Sequence, residues 1–431
     1  MRVTKLKFVI FLIPDCHSPR HGQQGLAVAI VAILVISGVG IAFVLDLVGD
    51  SNKDNPLAGE TRIDAMGREV IIPKNLDNGI VTIGSGGPLR FLSIFDMYDK
   101  VIEVDQGDVT DLKHGRAYSY AYPYDEFTPD RYHPDNALEA ETVEQIGKKG
   151  PSLIIVQSTV YENYKDNCDI LAKSFPLIVI WPQSLHELWK DDHTLSDWYV
   201  NTVKLIGDMV GKPERADEHI ADVNAILADI RSLINVTPEK KSVFVAGLTI
   251  RGSNELTTTF PTYLPLDLVD GKNAYDGNQN VDRVDMDPEE VAELDIDMIV
   301  IDPSSSDKLD TVNSQMVMKW LYDINNDDDP GNDIPIFITM PMVWDMANYD
   351  CVLAGAYYLA HLLYGTLTLD EVEKRIVEVF EAYYGDAGTE VFDSMKEFFD
   401  EKSDNNGQEM PLLGRVRVDK IDDSRYRFVA A

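Results

Sequence analysis

One local pattern, repeated twice, limits this chain more than any other feature: a short apolar run followed by a longer stretch of helical spacing. Ile80–Ile83, Val101–Val104, Leu153–Val156 and Leu177–Trp181 are the runs of the first series. Ser242–Ala246, Met298–Ile301 and Ile336–Thr339 are those of the second. Helical spacing follows Gly84–Pro88 and recurs at Leu138–Lys148, Val160–Ser174, Pro288–Leu294 and Val312–Ile324. Three closing helices are expected near Tyr349–Leu363, Leu369–Tyr384 and Thr389–Ser403. An apolar run without polar alternation suits a strand buried on both faces, and strands alternating with helices give a parallel sheet covered on both sides. The expectation is an α/β protein of two Rossmann-like lobes, 60–185 and 236–405, with a tail at 406–431. Open sheets of this kind bind ligands beyond the carboxyl ends of their strands, so a cleft between the lobes is the expected site.

The stretch between the two series, 186–235, carries one apolar stripe. Tyr199, Val203, Ile206 and Val210 fall at steps of four, three and four, and Ala216, Ile220, Val223, Leu227, Ile230 and Ile234 continue after Gly211-Lys212-Pro213. Pro213 is tolerated if it opens a helical segment, because a first-turn N–H has no intrahelical partner. Periodicity alone leaves two readings: an interlobe connector of about 60 Å, or two adjacent core helices. The repeated series on either side favours one long interlobe helix, with Pro213 as the place to bend or break.

Ahead of the first lobe, residues 25–48 have no charge until Asp46, and this length of apolar helix crosses a bilayer core of about 30 Å. Arg2, Lys5, Lys7 and Arg20 precede it and Asp46, Asp50 and Asp54 follow. The positive-inside bias then puts 1–24 in the cytoplasm, an anchor at 25–49, and a tether at 50–59 leading to an ectodomain outside the cytoplasm. A cleaved signal peptide is the rival reading; the length, and the lack of a small-x-small site close behind, favour a retained single-pass anchor. Acidic residues number 73 against 38 basic, a net charge of −35. Such a surface argues against a nucleic-acid partner, whose phosphates demand a basic face, and fits salty or extracellular surroundings. Cys16, Cys168 and Cys351 are widely separated and form neither a disulfide framework nor a zinc pattern.

Catalytic motifs are absent: there is no H-E-x-x-H, no G-x-S-x-G and no Cys/His cluster. Gly84-Ser85-Gly86-Gly87-Pro88, between strand and helix, suits a tight turn lining the cleft or a backbone anion cradle, but lacks the Gly-Lys-Ser/Thr of a P-loop. Asp323–Asp333 has no glycine at the sixth position and Ile334 at the twelfth, so it is an acidic loop and not an EF-hand. The segment 115–133 stands apart, with Tyr118, Tyr120, Tyr122, Tyr124 and Tyr132 beside Arg116, Arg131 and His133. Alternate tyrosines fit the aromatic face of a strand. Phenolate oxygens also suit ferric iron, and arginine forks suit anionic chelates. In the second lobe Arg251, Tyr263, Trp344 and Tyr349 follow strands on the cleft side. The expected ligand contacts are Arg116, Tyr118, Tyr120, Tyr122, Arg251, Tyr263, Trp344 and Tyr349. The aromatic ones among them fit a protein core equally well.

A known family gathers these features. The hairpin Asp64-Ala65-Met66-Gly67-Arg68-Glu69-Val70 with Pro73, then Ile80-Val81, resembles the start of the iron-siderophore and cobalamin solute-binding proteins of ABC importers. Leu205-Ile206-Gly207 and Gly211-Lys212-Pro213-Glu214-Arg215-Ala216 resemble their interlobe helix. Glu290-Val291, Leu294 and Asp297-Met298-Ile299-Val300 resemble the helix–strand pair of each lobe, echoed by Val143, Ile146 and Leu153-Ile154-Ile155. Gly115–Tyr118, Arg251-Gly252 and Thr258–Tyr263 are similar to an archaeal branch labelled iron transport.

The resemblance implies a monomeric, non-enzymatic bilobal clamp delivering a ferric chelate or corrinoid-like metal complex to an ABC permease and its ATPase. It implies no resident cofactor or metal. It also implies an acidic residue on each lobe facing permease arginines, by position Glu162 and Glu289. The alternatives are a metal chelatase-like enzyme, with His133 or a carboxylate over the metal, or a cell-surface receptor on the same fold.

Overall fold

Apolar runs that must hide both faces become the interior strands of two sheets. The computed structural model describes residues 54–109, 114–121, 131–181, 188–190, 193–234, 240–248, 255–278, 281–327, 332–344, 346–401 and 407–431. The expected anchor at 25–48 lies outside them; among the described residues no helix is long and apolar enough to cross a membrane. Residues 54–431 form one compact unit.

The first sheet is wholly parallel, in the order Tyr132–His133, Val101–Asp105, Ile80–Ile83, Leu153–Gln157, Leu177–Ile180. The second runs Lys272–Asn273, Ser242–Ala246, Met298–Ile301, Ile336–Ile338, also parallel. In each sheet the chain lays its first strand, steps to one side, then returns to the other. The direction reverses between Ile80–Ile83 and Leu153–Gln157 in one sheet, and between Ser242–Ala246 and Met298–Ile301 in the other. Such a reversal opens a crevice at the carboxyl ends of the two strands. The hairpin Thr61–Ile63/Glu69–Ile71 forms as expected, and Asp64 pins it to the first sheet by accepting from Val179 N at 3.0 Å.

Alternate strand residues point to opposite faces. Val81, Ile83, Ile154 and Val156 meet one cluster on the outer face of the first sheet, and Phe244, Ile299, Ile301 and Ile336 meet another on the second. The inner faces share one core: Ile80, Leu153 and Ile178 belong to the same cluster as Val243, Met298 and Val300. Helices fill the space between. Tyr349–Tyr364 is the central one, with every residue from Tyr349 to Ala360 buried. Leu369–Tyr384 packs beside it, and Gly388–Glu401 packs on Leu369–Tyr384 and reaches the Tyr118–Ala121 turn of the first lobe.

Two expectations need correction. The stretch 186–235 is not one long interlobe helix. Asp197–Val210 ends at Gly211, whose φ of 77° reverses the chain, and Pro213–Ser232 runs back against it. The antiparallel pairing is fixed by Gly207 against Ala216, by Leu195 N donating to Asn224 Oδ1 at 2.9 Å, and by the Tyr199 hydroxyl 2.7 Å from His219 Nε2. His219 Nδ1 lies 2.9 Å from Ala382 O, and burial pushes its pKa down to about 3, so a neutral imidazole accepts from Tyr199. Only Pro213–Ser232, about 30 Å long, leads towards the second sheet. The stripe is genuine, but both halves spend it on the shared core.

Residues 406–431 are not a tail either. Arg415–Lys420 and Tyr426–Ala430 form an antiparallel pair that extends the second sheet beside Ile336–Ile338. Val416, Val418, Tyr426 and Phe428 turn inward, the alternation of a half-buried strand. On the outermost strand the outward amides are all filled by side chains. Tyr426 N donates to Gln315 Oε1, Phe428 N to Gln408 Oε1 and Ala430 N to Glu409 Oε2, each at 2.7 Å.

Candidate functional site

Each crevice opens on a glycine that only the local backbone can explain. Gly84, after Ile83, has φ of 106°, and a Cβ there would sit 2.5 Å from both Cβ and Oε1 of Gln157 on the neighbouring strand. Gly247, after Ala246, has φ of 81°, and its Cβ would sit 2.6 Å from Ser305 Cβ. Left-handed φ and close approach both demand glycine. The two lobes therefore present matching tight turns at matching positions.

The Gly84–Gly87 turn was a candidate anion cradle. Its amides are instead filled from within. Gly84 N donates to Asp105 Oδ2 at 3.1 Å, Ser85 N to Asn136 Oδ1 at 3.2 Å and Gly86 N to Asp108 Oδ1 at 3.0 Å. Asp105 also accepts from Gly107 N and Asn136 N. Burial, then a hydrogen bond with Asp135 and the charge of Asp108, push the Asp105 carboxyl up, while the Asn136 and Gly107 N–H groups oppose the rise. For Asp108, burial raises the carboxyl while Arg116, Gly86 N–H and Tyr118 oppose the rise.

Arg116 and Tyr118 come together as expected, but not as free ligand contacts. Arg116 is wholly buried, donating to Gly107 O at 3.0 Å, Ser85 Oγ at 3.2 Å and Asp108 Oδ1 at 3.3 Å. The buried Tyr118 hydroxyl donates to the same Asp108 oxygen at 2.9 Å, and burial raises its pKa. A guanidinium this deep needs a carboxylate close by, and Asp108 supplies it before any ligand arrives. Tyr120 is half-buried, its hydroxyl 3.3 Å from His114 O. Tyr263 is fully buried in the second lobe, where burial again raises the phenol. Tyr349 lies in an aromatic cluster, its ring centroid 5.6 Å from both Trp198 and Tyr199 and 6.2 Å from Phe91. Arg116, Tyr118, Tyr263 and Tyr349 are thus all buried side chains. Tyr122 and Arg251 lie outside the described residues, as does the side chain of Trp344. Glu162, on the helix Ser158–Asn163, and Glu289, in the first turn of Pro288–Glu293, are exposed, one on each lobe.

Sequence reasoning missed Asp105, Asp108, Arg90 and Asp302. Asp302, at the carboxyl end of Met298–Ile301, accepts from Ser304 N at 2.9 Å and Met342 N at 2.8 Å. It thereby joins the loops that follow two adjacent strands. Gln157 Nε2 lies 4.0 Å from Met346 Sδ, a contact between the lobes. Among the described residues no group of three or more His, Cys, Asp or Glu is placed to hold a metal ion.

Burial pushes Asp302 up to about 6, which gives a pH prediction. An acid whose folded pKa is raised contributes stability that is full below its unfolded pKa and lost as pH rises through the folded one; here that amounts to about 3 kcal/mol between about pH 4 and 6. The urea midpoint of the parent chain should fall more steeply over that interval than that of Asp302→Asn. Equal slopes would contradict the assignment.

No family model matches the chain, and no curated protein matches it. Solved structures do. The chain is similar to a periplasmic solute-binding protein of Veillonella parvula, with a TM-score of 0.52 and 16% identity over 77% of this chain and 96% of that one. It is similar to the molybdate periplasmic binding protein MolA of Haemophilus influenzae, with a TM-score of 0.51 and 16% identity over 75% and 98%. It is also similar to the TroA-like periplasmic binding protein FepB of Veillonella parvula, with a TM-score of 0.51 and 17% identity over 75% and 95%. At such identity the likeness is one of fold.

Proposed function

The chain has the fold of the periplasmic solute-binding proteins of ABC transporters, and from that premise we propose that it is the extracytoplasmic binding component of an ABC importer. It captures a ferric chelate or a related metal complex, without chemical conversion, and hands it to a permease and its ATPase. The observation that carries this reading is the pair of matching glycine turns, Gly84 and Gly247, at the crevices of two sheets that share one core. In this reading the two turns face one cleft with two similar walls, which suits holding a compact ligand between them.

In this reading residues 25–48 anchor the protein, and Glu162 and Glu289 meet basic residues of the permease. Tyr120, Tyr122, Arg251 and Trp344 contact the ligand, while Arg116, Tyr118, Tyr263 and Tyr349 support the walls behind them. The metal complex is cargo and not a resident cofactor. Neighbours with this fold are described as binding molybdate in one case and as FepB in another, so oxyanions belong in the test. Purified protein is titrated with ferric chelates, cobalamin and molybdate while tryptophan fluorescence is followed. A saturable change with a ferric chelate below about 10 μM, against a ladder on which 1 mM is only about −4 kcal/mol, is the expected result. Binding no tighter than millimolar by all three classes would sink the transport reading, and saturation by molybdate alone would replace the iron assignment.

A further inference from the structure

Behind the cleft, one arginine of the first lobe is bonded to the second. Arg90 lies on the helix Pro88–Ser93, immediately after the Gly84–Gly87 turn, and is buried. Its Nη1 donates to Ala347 O, and its Nη2 donates to Asn348 Oδ1 at 2.7 Å. Both acceptors belong to the segment after the strand Ile336–Ile338, which folds into the small hairpin Val343–Trp344/Met346–Ala347. Asn348, also buried, returns the contact: its Nδ2 donates to Gly115 O of the first lobe and to Pro341 O of the second, both at 2.7 Å. Asn348 N donates to Met342 O, and Met342 N donates to Asp302. On the first-lobe side the Arg90 guanidinium lies 5.2 Å from the Tyr118 ring, whose hydroxyl is held by Asp108 beside Gly86. One chain of buried bonds and a ring contact thus runs from the turn that opens one crevice to the loop that opens the other.

We propose that Arg90 is the positioning residue of this cleft: its bridge to Ala347 and Asn348 sets the separation of the two lobes before ligand arrives. The chemistry explains why an arginine sits there. A guanidinium offers two donors in a fixed plane and can grip a backbone carbonyl and a side-chain amide at once, whereas an ammonium is a single point of charge on a flexible stem. The bridge's partners are neutral acceptors inside the protein, so losing either leaves a buried donor without its bond. Opening the lobes would break them together with the Asn348–Gly115 bond. The same hairpin carries Met346, whose Sδ lies 4.0 Å from Gln157 Nε2, so the bridge also fixes this second contact between the lobes. This inference stands on the bridge geometry and does not depend on what the cleft holds.

The rival account is that the shared core and the helix Pro213–Ser232 fix the lobes without Arg90. Spin labels separate the two. In the full-length chain with Cys16→Ser, where Cys168 and Cys351 are buried, labels are placed through Lys148→Cys on the first lobe and Lys272→Cys on the second, both exposed. A control pair, Lys148→Cys with Lys173→Cys, lies within the first lobe. The ligand-free protein should give one narrow interlobe distance. Arg90→Met should add a longer-distance population while the control pair stays unchanged, and Arg90→Lys should fall between. A narrow, unshifted interlobe distance in folded Arg90→Met overturns the proposal, as does a broad one in the parent. If Arg90→Met does not fold, Asn348→Ala removes the bridge from the other side, and an unchanged distance in that folded variant overturns the proposal equally.

Discussion

Asp108→Ala should lower the stability of the folded protein by about 3–5 kcal/mol, the range seen when one partner of a buried ion pair is removed. Arg116 then keeps its charge in a fully buried place with a carboxylate gone. The Tyr118 hydroxyl and Gly86 N–H lose the same acceptor. Asp108→Asn keeps the volume and one acceptor but turns an NH2 towards donors, so a loss of similar sign is expected. Urea unfolding of parent and variants measures both. A shift of less than about 1 kcal/mol for the alanine variant would show that water or another group takes over the role, because an exposed pair is worth no more than that.

Gly84→Ala should be nearly as damaging, for a steric reason. An alanine held at a φ of 106° costs about 1–3 kcal/mol in backbone strain. Its methyl would overlap Gln157, adding about 1–3 kcal/mol of overpacking. Because the clash is with Cβ of Gln157 as well as Oε1, Gln157→Ala should relieve little of it. Gln157→Gly should recover more, and the double-mutant cycle should show a coupling of about 0.5–3 kcal/mol. Strictly additive losses in that cycle would place the two side chains apart and refute the close approach.

The parallel strands were legible because a strand buried on both faces must be apolar throughout, and runs such as Leu153–Val156 and Met298–Ile301 have no other use in a soluble lobe. The helical hairpin was not, because the stripe from Tyr199 to Ile234 satisfies a straight connector and a folded pair equally well. Only the partner surface decides, and Gly207 against Ala216 became meaningful once the chain was seen to reverse at Gly211. Arg415–Lys420 was read as tail because its charged alternate residues hide a half-buried strand.

The site was less visible than the fold for a related reason. Among 73 acidic residues nothing marks Asp105 and Asp108 as the two that fill the Gly84–Gly87 turn. Arg116 and Tyr118 were singled out for their chemistry, and that chemistry is satisfied within their own lobe. Arg90, inside the apolar sequence Pro88-Leu89-Arg90-Phe91-Leu92, looks like an ordinary exposed helix position until its partners across the cleft are known.

The filled outer edge of the second sheet bears on how such an acidic chain stays dispersed. Mutual repulsion between copies carrying −35 charges each is effective over about 8–10 Å at moderate ionic strength but over only about 3 Å at 1 M. Concentrated salt therefore silences the repulsion while strengthening the burial of apolar surface when the salt is kosmotropic. A bare strand edge would then become a place for a second molecule to add its own strand. Gln315, Gln408 and Glu409 occupy those backbone donors with covalently tethered oxygens. Covering of this kind has no Debye length, and it keeps neighbouring molecules from zipping together where charge no longer can.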